Sequence, residues 1–232
     1  MKDQYVGDIN DFEKYAILRA LRNASKLPLV VCWMLTKPDA TGEGAKTDYL
    51  RQPDRYRELD PHVFDRLREI VRTRNRSVRA VEEAGVLEDA TFFSRHLEDD
   101  PASRDTYFRD LWRVVEGRSL IFFDPDVGLA PNSVHRGGRR SAMYLFDDEV
   151  CDAHRRGHSL VVYQHFAREQ RSVYLERLFT RMRGACGAES LVALWSARVA
   201  FVIVPQEGVV SAMTDAAHDL VSRWSPLLSR TD

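Results

Sequence analysis

At 232 residues, with 44% hydrophobic and 30% charged residues, the chain has the balance of a globular protein and enough length to bury a sizeable core, which excludes an intrinsically disordered chain. Its 34 basic and 35 acidic residues leave a net charge of -1, so the whole-molecule field attracts no polyanion, and any nucleic-acid contact has to come from a local patch. No apolar run approaches the about 18 residues needed to span a bilayer, and the opening residues lack the basic-then-apolar order of a secretion signal, so a cytoplasmic protein without membrane contact is expected. The three cysteines, Cys32, Cys151 and Cys186, are widely spaced and form no C-x-x-C pair of the kind zinc or redox sites use, which makes them structural or incidental.

In chain order, Asn10 with Glu13 three residues later reads as a helix start, and Tyr15, Leu18 and Leu21 continue at helical spacing to about Asn23. Residues 29–35 form a continuous apolar run, the pattern of a strand buried on both faces. A polar loop with Gly42 and Gly44 follows, then an Arg/Asp/Pro-rich stretch and a helix over 61–72, so residues 50–75 read as a helical or irregular insertion in a single domain spanning 1–232. Residues 77–81 and 90–93 alternate like short strands around Gly85.

Helical spacing returns at Tyr107, Leu111, Val114 and Val115, stops at Gly117, and gives way to a buried-type strand over 119–123. A helix over 141–156, a strand over 159–163 and a charged helix over 167–183 come next. Strands over 191–195 and 199–204, separated by three residues, form a closely connected pair, and an amphipathic helix over 209–224 closes the pattern. The alternation predicts an α/β fold of Rossmann-like type: a mostly parallel sheet, helices on both faces, and a terminal antiparallel strand pair.

Open parallel sheets bind ligands outside the carboxyl ends of their strands. Three loops are therefore expected to converge: the Gly42/Gly44 loop, Asp124-Pro125-Asp126 after the third apolar run, and Gln164-His165-Phe166 with Arg168 one turn further on. Carboxylates at Asp124 and Asp126 can accept an amine hydrogen bond, act as a base or hold a metal, and Pro125 fixes the chain between them. His165 has the same choice of base, metal ligand or polar contact. Gly7, Asp8, Asn10, Asp11 and Lys14 gather at a helix start able to meet the polar end of a ligand. The basic loop of residues 135–140, His135 through Arg140, can grip phosphates of RNA or DNA.

Gly7, Asp11 and Lys14, together with the strand-end Asp124-Pro125, resemble the bacterial enzymes that methylate N6 of an adenine in 23S ribosomal RNA, a class I S-adenosylmethionine-dependent family. That family opens with Gly-Asn-x-x-Asp-x-x-Lys-His and carries Asp-Pro-Pro-Tyr at a later strand end. Here Asp8 replaces the Asn, Tyr15 the His, and Asp126-Val127 the Pro-Tyr. The resemblance implies a class I methyltransferase-type fold and methyl transfer from S-adenosylmethionine to an amino nitrogen of a nucleobase or small molecule. Gly7, Asp8, Asp11, Lys14, Trp33, Gly42 and Gly44 would line the cofactor site, and Asp124 would hold the target amino group. Phe122, Phe123 or Phe166 would replace the aromatic that stacks on the base, with Gln164 and Arg168 beside it. Two other readings remain open: a Mg²⁺- or Mn²⁺-dependent nuclease or phosphohydrolase with Asp124, Asp126 and His165 as ligands, and a non-catalytic nucleotide- or partner-binding domain.

Overall fold

The computed structural model describes residues 1–37 and 46–232. Its centre is a seven-stranded sheet in the order β2-β1-β3-β6-β8-β7-β9, formed by β1 (Leu29–Cys32), β2 (Thr91–Phe93), β3 (Leu120–Phe123), β6 (Ser159–His165), β7 (Val192–Trp195), β8 (Val199–Val204) and β9 (Ser229–Thr231). β2, β1, β3 and β6 are mutually parallel, with Val31 beside Phe122 and Phe122 beside Val161. β8 is antiparallel to both β6 and β7, which gives the expected antiparallel strand pair, and β9 extends that edge antiparallel to β7.

The continuous apolar runs are explained by two-sided burial. Leu29, Val31, Leu120, Phe122, Val161 and Tyr163 face a core completed by α1 (Ile9–Ser25), α3 (Pro61–Arg72), α4 (Val78–Glu83) and α8 (Val210–Trp224). The alternate residues Val30, Cys32, Ile121, Phe123, Leu160 and Val162 face a second core under α5 (Pro101–Val114), α6 (Asp147–Arg155) and α7 (Arg171–Cys186). Such a strand has no solvent side, so no polar alternation survives in it.

Several local expectations are corrected. The cap of α1 is Asp8, whose carboxylate accepts the Asp11 N–H at 3.0 Å, and not Asn10 with Glu13. Residues 77–81 are the start of α4: the Ser77 hydroxyl accepts the Ala80 N–H at 3.1 Å, and Val78 and Val81, three apart, share the buried side. The helix expected over 141–156 begins only at Asp147. Before it lie a 3-10 turn (Ser141–Met143) and a two-residue strand β5 (Tyr144–Leu145), which pairs in parallel with β4 (Gly128–Leu129). Glu149 turns back to accept the Phe146 N–H at 2.9 Å, and this cap marks the true helix start.

Within the segment around residues 50–75, α3 packs into the core, whereas residues 51–60 are exposed or half-buried. After a short helix α2 (Pro53–Tyr56), α3 buries Val63, Phe64 and Leu67 completely, with Phe64 edge-on to Phe12 of α1 at 5.9 Å. A disulfide joins Cys151 of α6 to Cys186 at the end of α7, while Cys32 is a buried free thiol. Among the described residues no helix is long and apolar enough to cross a membrane.

Candidate active site

From β1 the chain steps outward to β2 on one side and returns to place β3 on the other, so the strand order reverses between β1 and β3. In open α/β sheets this is where a crevice forms outside the strand ends. A cavity of about 690 Å³ lies there, and its lining brings together Asp8, Asp11 and Lys14 from the start of α1, Asp124, Pro125 and Asp126 after β3, and Tyr163 and His165 from β6.

Lys14 is the hub. Its Nζ donates to Asp11 Oδ1 at 2.9 Å and to Asp124 Oδ2 at 2.8 Å, and the side chain is fully buried. The rings of Tyr163, Tyr15, Phe122 and Trp33 surround the ammonium at 5.2, 5.7, 5.8 and 5.9 Å from their centroids. Burial alone would favour neutral lysine, but the two carboxylates reverse that and hold the pKa above the ordinary lysine value. Burial raises the pKa of Asp124, partly offset by Lys14 and the N-terminal ammonium.

Asp126 has a separate partner set. The Met1 ammonium lies 2.8 Å from one of its oxygens and also donates to the carbonyls of Asp124 (3.1 Å) and Met34 (3.2 Å). Thr36 Oγ1 donates to the other oxygen at 2.5 Å, and Lys2 lies at 3.4 Å. Although burial opposes it, the N-terminal ammonium, Thr36 and Lys2 hold the Asp126 pKa below the usual carboxylate value. Asp8 goes the other way: burial, then repulsion from Asp11, pushes it up to about 7. Behind it Glu13 is pushed up to about 8, chiefly by burial.

Gly7 supports the site from outside the cavity. Its φ is +82°, and a Cβ there would lie 2.5 Å from the Val71 side chain, so only glycine lets the chain enter α1 this close to α3. Its N–H donates to Asp11 Oδ2 at 3.0 Å and its carbonyl accepts from the Tyr49 hydroxyl at 3.2 Å. The opening motif is thus one mechanical unit: Gly7 turns the chain, Asp8 caps the helix, Asp11 closes back on Gly7 and Lys14 reaches Asp124.

Other expected residues are placed elsewhere. Trp33 is a core residue whose Nε1 donates to Glu82 Oε1 at 2.8 Å and whose ring stacks on Phe92. Phe123 is completely buried on the far face of the sheet against Phe108, because side chains alternate along β3; Phe122 is the one beneath Lys14. Gln164 is a brace: Oε1 accepts the Leu129 N–H at 2.8 Å, Nε2 donates to the His165 carbonyl at 2.9 Å, and Gly128 leaves room for it. Gly42 and Gly44 lie outside the described residues. Arg168 is exposed and outside the cavity lining. In the basic loop, Arg136 is tied to Asp148 at 2.6 Å and Glu149 at 3.2 Å, whereas Arg140 lines the cavity. Tyr163 and Lys46, also in the lining, carried no sequence signal: one sits inside an apolar run, the other in a polar loop.

The donor set suits hydrogen bonding better than metal coordination. Asp124 and Asp126 are each matched to an ammonium, and among the described residues no three His, Cys, Asp or Glu side chains converge as metal ligands. Comparison of the sequence with models of known protein families and with curated proteins gives no match. Fold and site together define an α/β protein with a polar, charge-matched cavity at the reversal point of a mostly parallel sheet.

Proposed function

We propose that this cavity carries out methyl transfer from S-adenosylmethionine to an amino nitrogen of a nucleobase or small molecule. The observation that carries the reading is the Lys14–Asp124 contact, which joins the two short motifs behind the family resemblance at one strand end. The antiparallel strand pair toward one sheet edge, with β8 reversed, agrees with the class I methyltransferase type of architecture.

The residues present fit the cofactor. The corner formed by the Met34 and Asp124 carbonyls and the Asp126 carboxylate is filled by the chain's own Met1 ammonium, so the cofactor's polar groups would be met by the rest of the lining. Asp8 and Asp11 would meet hydroxyl and amino groups. When bound, the cofactor supplies an electrophilic methyl group on a sulfonium. The chain's own part is positioning: Lys14 holds one Asp124 oxygen, which aims the other toward an incoming amino group, and Pro125 fixes the strand exit. An amine held this way presents its lone pair along one line, and alignment supplies most of the rate.

Asp124→Asn tests the role while keeping the shape. Methyl transfer to a responsive amine should fall about 100-fold, as expected when a reacting group loses its alignment, while the calorimetric affinity for S-adenosylmethionine changes less than about threefold. Equal loss of both would make Asp124 a scaffold residue, and no cofactor binding by the unaltered protein would overturn the reading.

A further inference from the structure

A second compartment of about 800 Å³ adjoins the first and shares Asn10, Lys46 and His165 with it. Its floor is aromatic. Phe166, just past β6, meets Trp195, at the end of β7, edge to face at 6.2 Å. The Arg171 guanidinium lies over both rings, 5.5 Å from the Phe166 centroid and 5.7 Å from that of Trp195, and donates to the Ala197 carbonyl. Trp195 is fixed by its own Nε1–H to Thr231 Oγ1 at 3.1 Å.

The charge lining this compartment is one-sided. Lys46, Arg171 and Arg198 are cationic, whereas the carboxylate on the rim, Glu169, is taken by Arg177. Among the described residues neither the Lys46 nor the Arg198 side chain makes an ion pair. Burial pushes the pKa of Glu13, the acid that Arg198 acts on, up to about 8, while Arg198 works to lower it. The first compartment is rich in carboxylates and polar acceptors; this one offers aromatic rings beside cations that make no ion pair among the described residues. A planar ring suits the first feature and an oxyanion the second.

We propose that this compartment binds the phosphate and base of a phosphorylated nucleoside, with the amino-bearing edge of the base turned past His165 toward Asp124. The proposal rests on the amino-nitrogen reading for its direction, not for the existence of the subsite. The phosphate can belong to a free mononucleotide or to a nucleotide within a strand.

Calorimetric titration of the full chain without cofactor separates these cases, using adenosine and cytidine, their 5′-monophosphates, and a short single-stranded oligonucleotide containing both bases. A phosphorylated ligand should bind about tenfold or more tightly than its nucleoside. Arg198→Ala, an exposed position, should weaken it by about 10- to 100-fold, the effect of one charge-assisted hydrogen bond, while Arg66→Ala on α3 leaves it unchanged. Binding of the monophosphate identifies the free nucleotide, and binding of the oligonucleotide alone identifies the strand. Nucleosides binding as tightly as nucleotides, no phosphorylated ligand binding, or equal affinity in Arg198→Ala would overturn the proposal. Arg198-dependent nucleotide binding without S-adenosylmethionine binding would keep the subsite and remove the methyl-transfer reading.

Discussion

The two adjoining compartments spend charge in opposite ways. In the cavity at β1 and β3 the central charges are buried and answered: Lys14 by Asp11 and Asp124, Asp126 by the Met1 ammonium and Lys2. In the compartment against β7 and α7, Arg171 and Arg198 stand at the surface, and Arg171 leans on rings instead of a carboxylate. A buried ion network costs desolvation and returns geometry, because removing any member leaves an unpaired charge in a medium that cannot solvate it. An exposed cation over an aromatic costs little and remains available to a ligand. One region is therefore held rigid, which suits positioning, and the other leaves its cations at the surface.

The comparison is broken most severely at Lys14. Lys14→Ala leaves Asp11 and Asp124 buried without their cation and should lower the free energy of unfolding at neutral pH by about 3–5 kcal/mol, read from denaturant midpoints; a loss below about 1 kcal/mol would show that water replaces the ammonium at no cost and that the cavity is wet.

A pH series sharpens the contrast with a smaller effect. Asp8 and Glu13 have folded-state pKa values raised to about 7 and about 8, so between the ordinary carboxylate range and those values the folded state binds more protons than the unfolded chain. Their contribution is fully present below the unfolded values and is lost as pH rises through about 7 and 8. Stability should fall from mildly acidic pH toward pH 8, and Asp8→Asn with Glu13→Gln should flatten that slope. Asp126, with its pKa lowered, acts in the opposite sense and only at acid pH. A profile unchanged by the double substitution would mean that both acids are ionised throughout.

The smallest effect on stability is expected in the second compartment. Arg171→Ala should cost only about 0.5–1 kcal/mol, the value of an exposed cation–aromatic contact. A loss as large as that at Lys14 would make Arg171 a structural pin and erase the distinction between the compartments.

Much of the framework was legible in the residues, and the places where it was not share a cause. The runs at 29–35, 119–123 and 159–163 are largely apolar at consecutive positions, which a sheet covered on both faces buries, and β1, β3 and most of β6 lie within them, although β1 already ends at Cys32. The segment 77–81 looked like a strand because five residues do not distinguish a period of 2 from one of 3.6; the Ser77 cap and burial against the α1 side made it a helix. β9 is Ser-Arg-Thr and carries no apolar signal, since its pairing with β7 is made by backbone groups.

At the site, sequence alone determined which residue types were available and that they lay at strand ends and a helix start, because chain order and apolar periodicity are local properties. Tertiary structure decided the rest. Lys14 and Asp124, 110 residues apart, meet at 2.8 Å only because β1 and β3 pair side by side with α1 laid over them. The same pairing turned Phe122 toward the ammonium and Phe123 away, made Gln164 a brace, and brought the β7–β8 turn against α7 to form the second compartment. A strand's pattern states that its side chains alternate, but which face meets which helix depends on packing between segments far apart in the chain.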